Sequence, residues 1–538
     1  MTGWRGLVRL AWRRDRIMIS VVLVCIWLLS YYSASVVPTL YSTTDELVAA
    51  NSAANLSTGV VAMYGHIYDT ASVGGVAANK VAMLDFLTLA FLVIAIVRRH
   101  TRGEEESGRF ELLGATPVGR LAPLGAAMIV ACGASVVSGV VTIPAVIAGG
   151  WPVGGSILFG LAQVGVGLSF AGLTAVAVQL SSSYRACGAW IFGAFGVTFI
   201  LRMLGDVNWD KPGRIISWFS PLGWAQQVRY FDGGAEVGVL GTIDIGPGRA
   251  WPLILPIGLL VVTVALAAWL QSRRDLGAGL LADRPGPATG KLGTPLGLAW
   301  RLQRAGFIGW LITFVILGGL FGAIVDTIGG LMTGAATDLL SKLGGVGTFN
   351  DVYLTLVGVM GAFGAAAFGI GAALRLRTEE SSGHLESVLA TRVTRLTFFW
   401  SHAIIAFVGS TVLMAAMGLT MSAAHGKGSS GFWREASPAF AHLPAVWVMI
   451  GLALVAVAWL PRFDWLGWGL LALVVFIGEL GPLMNLPDWV QKISPFSDTP
   501  KIPVEAMNWT TEAILTAVAV VLVVAAVVGY RRRGMPVT

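Results

Sequence analysis

The stretch RGEEESGRFELLGATPVGRL, residues 102–121, returns as RTEESSGHLESVLATRVTRL, residues 377–396, 275 positions later. Eleven of the twenty positions agree, where ordinary residue usage gives about one or two, so the chain is a tandem duplication. The shared residues are Arg102, Glu104, Glu105, Ser107, Gly108, Glu111, Ala115, Thr116, Val118, Arg120 and Leu121, against Arg377, Glu379, Glu380, Ser382, Gly383, Glu386, Ala390, Thr391, Val393, Arg395 and Leu396. A second landmark agrees: Ser220 and Pro221 correspond to Ser494 and Pro495 at an offset of 274.

On either side of each copy the chain is too apolar for a water-soluble domain. Hydrophobic residues make up 55%, charged residues 12%, and mean hydropathy is +0.75. A helix needs about twenty apolar residues to cross a bilayer, and twelve such runs can be read. In the first half they lie at residues 17–37, 80–97, 121–148, 153–180, 188–204 and 251–270; in the second, at 307–325, 352–374, 397–423, 445–460, 466–481 and 513–530. The expected fold class is an all-α polytopic membrane protein with twelve transmembrane helices in two fused six-helix halves. Residues 1–270 form one half and residues 295–538 the other. Between them, residues 271–294 carry Pro285, Pro287 and several glycines, and read as a cytoplasmic linker.

With both termini inside, 25 of the 36 Lys and Arg fall on cytoplasmic segments, the distribution that basic residues follow in membrane proteins. The net charge of +7 is then a topology signal, and it gives no reason to expect nucleic-acid binding. Cys25, Cys132 and Cys187 have neither CxxC spacing nor pairing across a loop, so no disulfide framework or zinc site is expected. The first apolar run is too long for a signal-peptide core and reads as a retained span. Before it, Arg5, Arg9, Arg13 and Arg16 recur at helical spacing, with Trp4, Val8 and Ala11 on another face and Asp15 as the exception. Arg301 and Arg304 stand in the same place before residue 307, so a surface-lying elbow helix is expected at the start of each half.

The repeated segment is too polar to enter lipid. Ser107 or Ser382 can cap a helix by accepting a bond from a free amide, and Gly108 or Gly383 permits a turn. Phe110 with Leu113, and Leu385 with Val388 and Leu389, supply an apolar face, so each copy is expected as a short amphipathic helix on the membrane surface. Pro117 ends the first copy by removing a donor, whereas Arg392 in the second does not. A mere connection drifts in sequence, yet this one is matched more densely than the runs beside it. Two related surfaces that meet the same kind of partner would explain that.

These segments resemble the cytoplasmic signature of type 2 ABC exporter permeases, and SPLGWAQQVRYF, residues 220–231, resembles the outer motif of their actinobacterial drug and antibiotic branch, the tetronasin-type exporters. The similarity covers the whole chain. It implies elbow helices, a coupling helix between the second and third spans of each half, and short re-entrant helices before the sixth. It further implies that Glu104, Glu105, Glu111 and Arg120, with Glu379, Glu380, Glu386 and Arg395, dock a separate ABC ATPase, either as two copies or as a heterodimer. No cofactor is then expected in this chain, with ATP and Mg bound by the partner. Hydrophobic drugs, antibiotics or lipid-like molecules would be the cargo, and the bacterial plasma membrane the location. Pro117 against Arg392, and Phe110 against Leu385, depart from equivalence between the two docking sites.

Neither Gly290-Lys291 nor Gly426-Lys427 completes a GxxxxGK[ST] phosphate loop, so ATP hydrolysis by that route is not expected of this chain. Two other classes compete. A gradient-driven six plus six transporter would want an ionisable group deep in a span, but Asp85, Arg202, Asp326 and Glu479 all read as lying near outer ends. A membrane enzyme acting on lipid carriers would want paired carboxylates, and Asp206 with Asp210, or Asp232 with Glu236, lack an accompanying His or metal-ligand cluster. His402 reads as an interface residue. Small-residue pairs, Ala189 with Gly193 and Gly318 with Gly322, would permit close helix contact.

Overall fold

The computed structural model describes residues 2–37, 43–56, 58–108, 117–231, 249–275, 277–281, 293–331, 349–426, 428–463, 466–480, 487–491 and 493–533. Among them every regular element is helical, and eleven helices are long and apolar enough to cross a membrane. The chain is an all-α polytopic membrane protein, and its backbone follows the rule that a spanning segment satisfies its own amides. Two compact units divide it, Met1–Pro285 and Gly286–Thr538.

In the first unit α1 (Trp4–Val36) is followed by the short α2 (Thr44–Leu56) and α3 (Thr58–Tyr64). Then come α4 (Val73–Arg98), α5 (Ala122–Ala148), α6 (Val153–Leu180), α7 (Tyr184–Val207), the short α8 (Pro221–Gln227) and α9 (Ile254–Arg273). Helices α4 and α6 are the centre, with Val76, Phe86, Leu89, Phe159 and Phe170 buried among their neighbours. By contrast α1 and α9 turn Ile17, Val21, Val261 and Val262 outward. Such faces carry no penalty where the surrounding medium is as apolar as leucine. A 3₁₀ turn, Pro212–Phe219, and α8 occupy the connection before α9, where short helices were expected.

The second unit contains α10 (Pro295–Leu331), α11 (Phe349–Ser381), the short α12 (His384–Leu389), α13 (Arg395–His425), α14 (Gly428–Ala441), α15 (Leu443–Trp459), α16 (Leu466–Leu480), the short α17 (Asp488–Gln491) and α18 (Trp509–Arg532). Helix α16, at the place of the eleventh apolar run, is the short member with 15 residues. Side-chain caps set two starts: the Thr394 hydroxyl accepts from the Thr397 amide, and the Asn508 carboxamide from that of Thr511. Where α10 meets α13 the backbones touch. A Cβ added at Gly322 would lie 2.0 Å from the Met421 carbonyl oxygen, and one at Gly318 would lie 2.5 Å from that of Met417. The pair Ala189 and Gly193 makes no such contact, for Ala189 is exposed and Gly193 meets open space.

Three expectations are corrected here. The elbows are not separate helices: Arg5, Arg9 and Arg13 sit in the first turns of α1, and Arg301 and Arg304 in those of α10, because no proline interrupts either ladder. At about 1.5 Å per residue, α1 and α10 run about 50 and 55 Å, well beyond a core of about 30 Å, so their basic turns extend past it. Asp85 is not near an end. Helix α4 begins at Val73, capped by the Ser72 hydroxyl, which puts Asp85 midway along it and fully buried. Its Oδ2 accepts from Ser30 Oγ at 2.5 Å, while Oδ1 has no hydrogen-bond partner. Arg202 does lie near the end of α7, where it is fully buried and paired: Asp206 lies 3.4 Å away and the Ala62 carbonyl at the end of α3 accepts from it at 2.7 Å. Finally, His402 is interior rather than interfacial, with Nδ1 2.9 Å from Gln303 Nε2. The side chains of Asp326 and Glu479, and residues Asp232 and Glu236, lie outside the described residues.

Candidate functional site

Helix α4 does not stop at Arg98. A π-helical turn, Arg99–Gly103, carries it into Glu104–Glu106, so the acidic pair of the first copy hangs from the end of the second span. The second copy is built alike, with Glu379 and Glu380 inside the last turn of α11. Each Glu pair therefore belongs to a span end and not to the short surface helix expected for it. Ser107 Oγ donates to the Glu104 carbonyl, and Ser382 Oγ to that of Thr378, so these hydroxyls close helix ends instead of capping starts. The turn itself follows the expectation, since Gly108 and Gly383 take φ of 72° and 74°, the left-handed region that glycine adopts without a Cβ clash.

In the first half, Glu105 is gripped by two arginines. Arg102 Nη1 donates to its Oε2 at 2.6 Å. Arg274, one residue past α9, donates to the same oxygen at 2.9 Å and to Oε1 at 2.7 Å, a two-pronged fork. Arg102 also donates to the Val178 carbonyl in the last turn of α6, through Nη2 at 2.8 Å, and Arg274 Nε to the Gln179 side chain at 2.6 Å. Arg120, the closing arginine of the motif, donates to the Arg274 main-chain carbonyl, while Gln271 Nε2 donates to the Arg120 carbonyl at 2.9 Å.

The second half repeats the arrangement with its own last helix. Arg377 donates to Glu380 at 3.5 Å, and Arg533, one residue past α18, donates to the same carboxylate oxygen. Arg533 Nη1 donates to the Val457 carbonyl near the end of α15 at 2.5 Å, and Arg395 to the Arg533 main-chain carbonyl at 3.1 Å. In each clamp two guanidinium groups meet one carboxylate. The surplus positive charge faces carbonyls at a helix C-terminus, where the helix dipole is negative. Burial makes the pairs strong: the side chains of Arg102, Glu105 and Arg274 are 0, 6 and 4% exposed, and that of Glu380 is 2%.

The eight residues expected to face a partner thus divide. Glu105, Glu380, Arg120 and Arg395 are drawn into the clamps. Glu104 pairs with Arg14 of α1, and Glu379 with Arg375 at 2.5 Å and with His384 at 3.3 Å. Glu386 is exposed on α12, whose Leu385 is buried beneath it. Glu111, with Phe110 and Leu113, lies outside the described residues. Arg5, Arg9, Arg13, Arg301 and Arg304 are exposed, and Asp15 explains itself: it is buried, 2.5 Å from both Arg99 and His100, tying α1 to the π turn. The sequence reading missed Arg274 and Arg533. They stand 259 positions apart rather than 275, so the repeat alone does not align them, and as basic residues after a span they were absorbed into the topology signal.

Cys187 lies against Arg102 in the first clamp and Tyr530 against Glu380 in the second, and the arrangement ties helix ends together. It joins the ends of α4, α6 and α9, with the start of α5, in one half, and those of α11, α15, α18 and α13 in the other. One family model, described as multidrug efflux system permease Rv1217c, C-terminal domain, matches residues 5–240 and again residues 292–531, once on each copy of the duplicated unit. The multidrug efflux system permease protein Rv1217c of Mycobacterium tuberculosis (strain ATCC 25618 / H37Rv) is 34% identical over 542 residues, covering 99% of this chain and 95% of that protein.

Proposed function

The chain belongs to the family of multidrug efflux system permeases typified by Rv1217c, and we propose that it is the membrane subunit of an ATP-driven exporter of the type 2 ABC kind. Two copies of a separate ABC ATPase, or a heterodimer, bind beneath the repeated segments in the cytoplasm, with both termini of the permease on that side of the bacterial plasma membrane. ATP and Mg belong to those subunits. Their closure shifts the permease between inward-open and outward-open states, and hydrophobic drugs, antibiotics or lipid-like molecules are carried out. Residues 1–270 and 295–538 act as the two halves.

The observation that carries this reading is the duplicated clamp. A docking segment that merely touched a motor would transmit nothing. Glu105 and Glu380 bind the first element of each segment to the final helix of its half, and so supply the link. The docking set is refined accordingly: Glu386, with Glu111 as its counterpart by sequence, meets the motor, while Glu105, Glu380, Arg120 and Arg395 hold the segment to the spans. Co-expression with a separate ABC ATPase of the same organism tests the reading. The pair is expected to co-purify, and Glu386→Arg to weaken the complex without lowering the yield of permease.

A gradient-driven transporter is kept as a second reading by one observation, the buried Asp85 midway along α4 with an unpartnered oxygen. Asp85→Asn separates the two. Export that follows ATP and survives the substitution supports the motor. Uptake driven by a proton gradient in the purified chain alone, abolished by the substitution, supports the gradient.

A further inference from the structure

The first turns of α1 carry a row of charge that the rest of the unit does not answer. Arg5, Arg9, Arg13 and Arg16 follow one another at steps of four, four and three residues, which sets them along one side of the helix, and all four are exposed. Among the described residues no carboxylate pairs with any of them. The other arginines at this end of the unit are treated differently: Arg14 pairs with Glu104, Arg99 with Asp15, and Arg102 and Arg274 with Glu105. Like charges one helical turn apart repel, so the row carries a cost that an anionic partner would remove.

Where the row stands decides the chemistry of that partner. Directly after it α1 turns Ile17, Val21, Val24 and Leu28 outward, while Ala11, Asp15, Ile19 and Ile26 are buried. The helix therefore enters hydrocarbon at about Ile17. Along an upright helix rising about 1.5 Å per residue, Arg13 and Arg16 lie within about 6 Å of that boundary, with Arg9 about 12 Å and Arg5 about 18 Å beyond it. A headgroup layer is about 5–8 Å deep on each side, so Arg13 and Arg16 stand among phosphates, and Arg9 and Arg5 reach back on long side chains. Trp12, exposed beside Arg13, has the amphipathic ring that favours this depth. The start of α1 is also held in place: Asp15 is gripped by Arg99 and His100, and the Gly119 amide donates to the Thr2 carbonyl at 3.1 Å. In the second unit the start of α10 offers only Arg301 and Arg304.

We propose that this row binds the headgroups of anionic phospholipids in the leaflet on the side of the repeated segment, with Arg13 and Arg16 as the principal contacts. A lipid of net negative charge leaves its phosphate unanswered, whereas in phosphatidylcholine the choline already neutralises it, so the row selects the first. Such binding does not depend on how transport is driven. Phosphatidylglycerol and phosphatidylcholine carrying the same photoreactive acyl chain are the probes, each at low mole fraction in phosphatidylcholine nanodiscs holding the full-length chain. After cross-linking, the labelled peptides are mapped. An arginine at a charged surface is worth about fivefold, so phosphatidylglycerol should label residues 4–20 about tenfold or more over phosphatidylcholine at low salt. The preference shrinks in about 0.5 M salt, as a screened attraction must. Arg13→Gln with Arg16→Gln lowers it about tenfold or more, in protein that stays monodisperse because both positions are exposed. Arg13→Lys with Arg16→Lys keeps the charge and retains most of it, and Arg301→Gln with Arg304→Gln leaves it unchanged. Equal labelling of residues 4–20 by the two lipids, a preference indifferent to salt, or one that survives the glutamine pair at Arg13 and Arg16 overturns the proposal and leaves the motor reading as it was.

Discussion

Glu105 neutralises two buried arginines and Glu380 two half-buried ones, whereas Glu386 of the same motif stands in solvent. Their substitutions are therefore expected to separate. Glu105→Gln leaves Arg102 and Arg274 without a counter-charge, a loss of about 3–5 kcal/mol for a broken buried pair, visible as a lowered melting temperature of the permease in detergent. Glu386→Gln changes stability by no more than about 0.5 kcal/mol, as an exposed position should. His66 supplies a pH signature. Its folded value, about 4, lies below the ordinary 6.5, so the unfolded chain takes up the proton first and stability is lost as pH falls from 6.5 towards 4, with no contribution above that window. His66→Phe should flatten the melting-temperature slope across that window; an identical slope would show that the imidazole is not buried in this way. At this scale the sequence was a partial guide. The motif marked the right segments, but it could not say that Glu105 turns inward and Glu386 outward, because that choice depends on Arg274 and on the buried Leu385.

Helices were legible because apolar runs bounded by charge have few other ways to satisfy their backbones in lipid. Their ends were less so. Ser72 starts α4 well before its apolar run, which moved Asp85 from an apparent end to the middle. The basic turns before α1 and α10 read as separate because charge interrupts hydropathy, but charge does not interrupt a helical ladder. Close packing of α10 on α13 gives a test at this scale. Gly322→Ala must push against the Met421 carbonyl and is expected to lower the melting temperature, by about 1–3 kcal/mol of stability. Gly319→Ala, one turn-face away in open space, is expected to be neutral or slightly stabilising, since alanine favours the helix. Equal effects from the two would mean that the helices do not meet at backbone distance.

Duplication gives the molecule two segments of the same design, and each clamp holds its segment to its own spans. The Ser-Pro landmarks and the repeated segment exposed the duplication directly. The clamps were hidden because each closes on a residue beyond the aligned repeat, Arg274 in one half and Arg533 in the other. On the proposed reading, efflux in the family, an ATPase beneath the segments and a clamp that transmits its closure make one chain of cause. Its decisive link is the coupling of hydrolysis to transport in proteoliposomes containing the permease and its ATPase. With Glu105→Gln, Glu380→Gln or both, the ATPase should still bind and hydrolyse ATP while export falls at least tenfold in the double variant. Full ATP-driven export by that double variant, or full transport by the permease alone under a proton gradient, would contradict it.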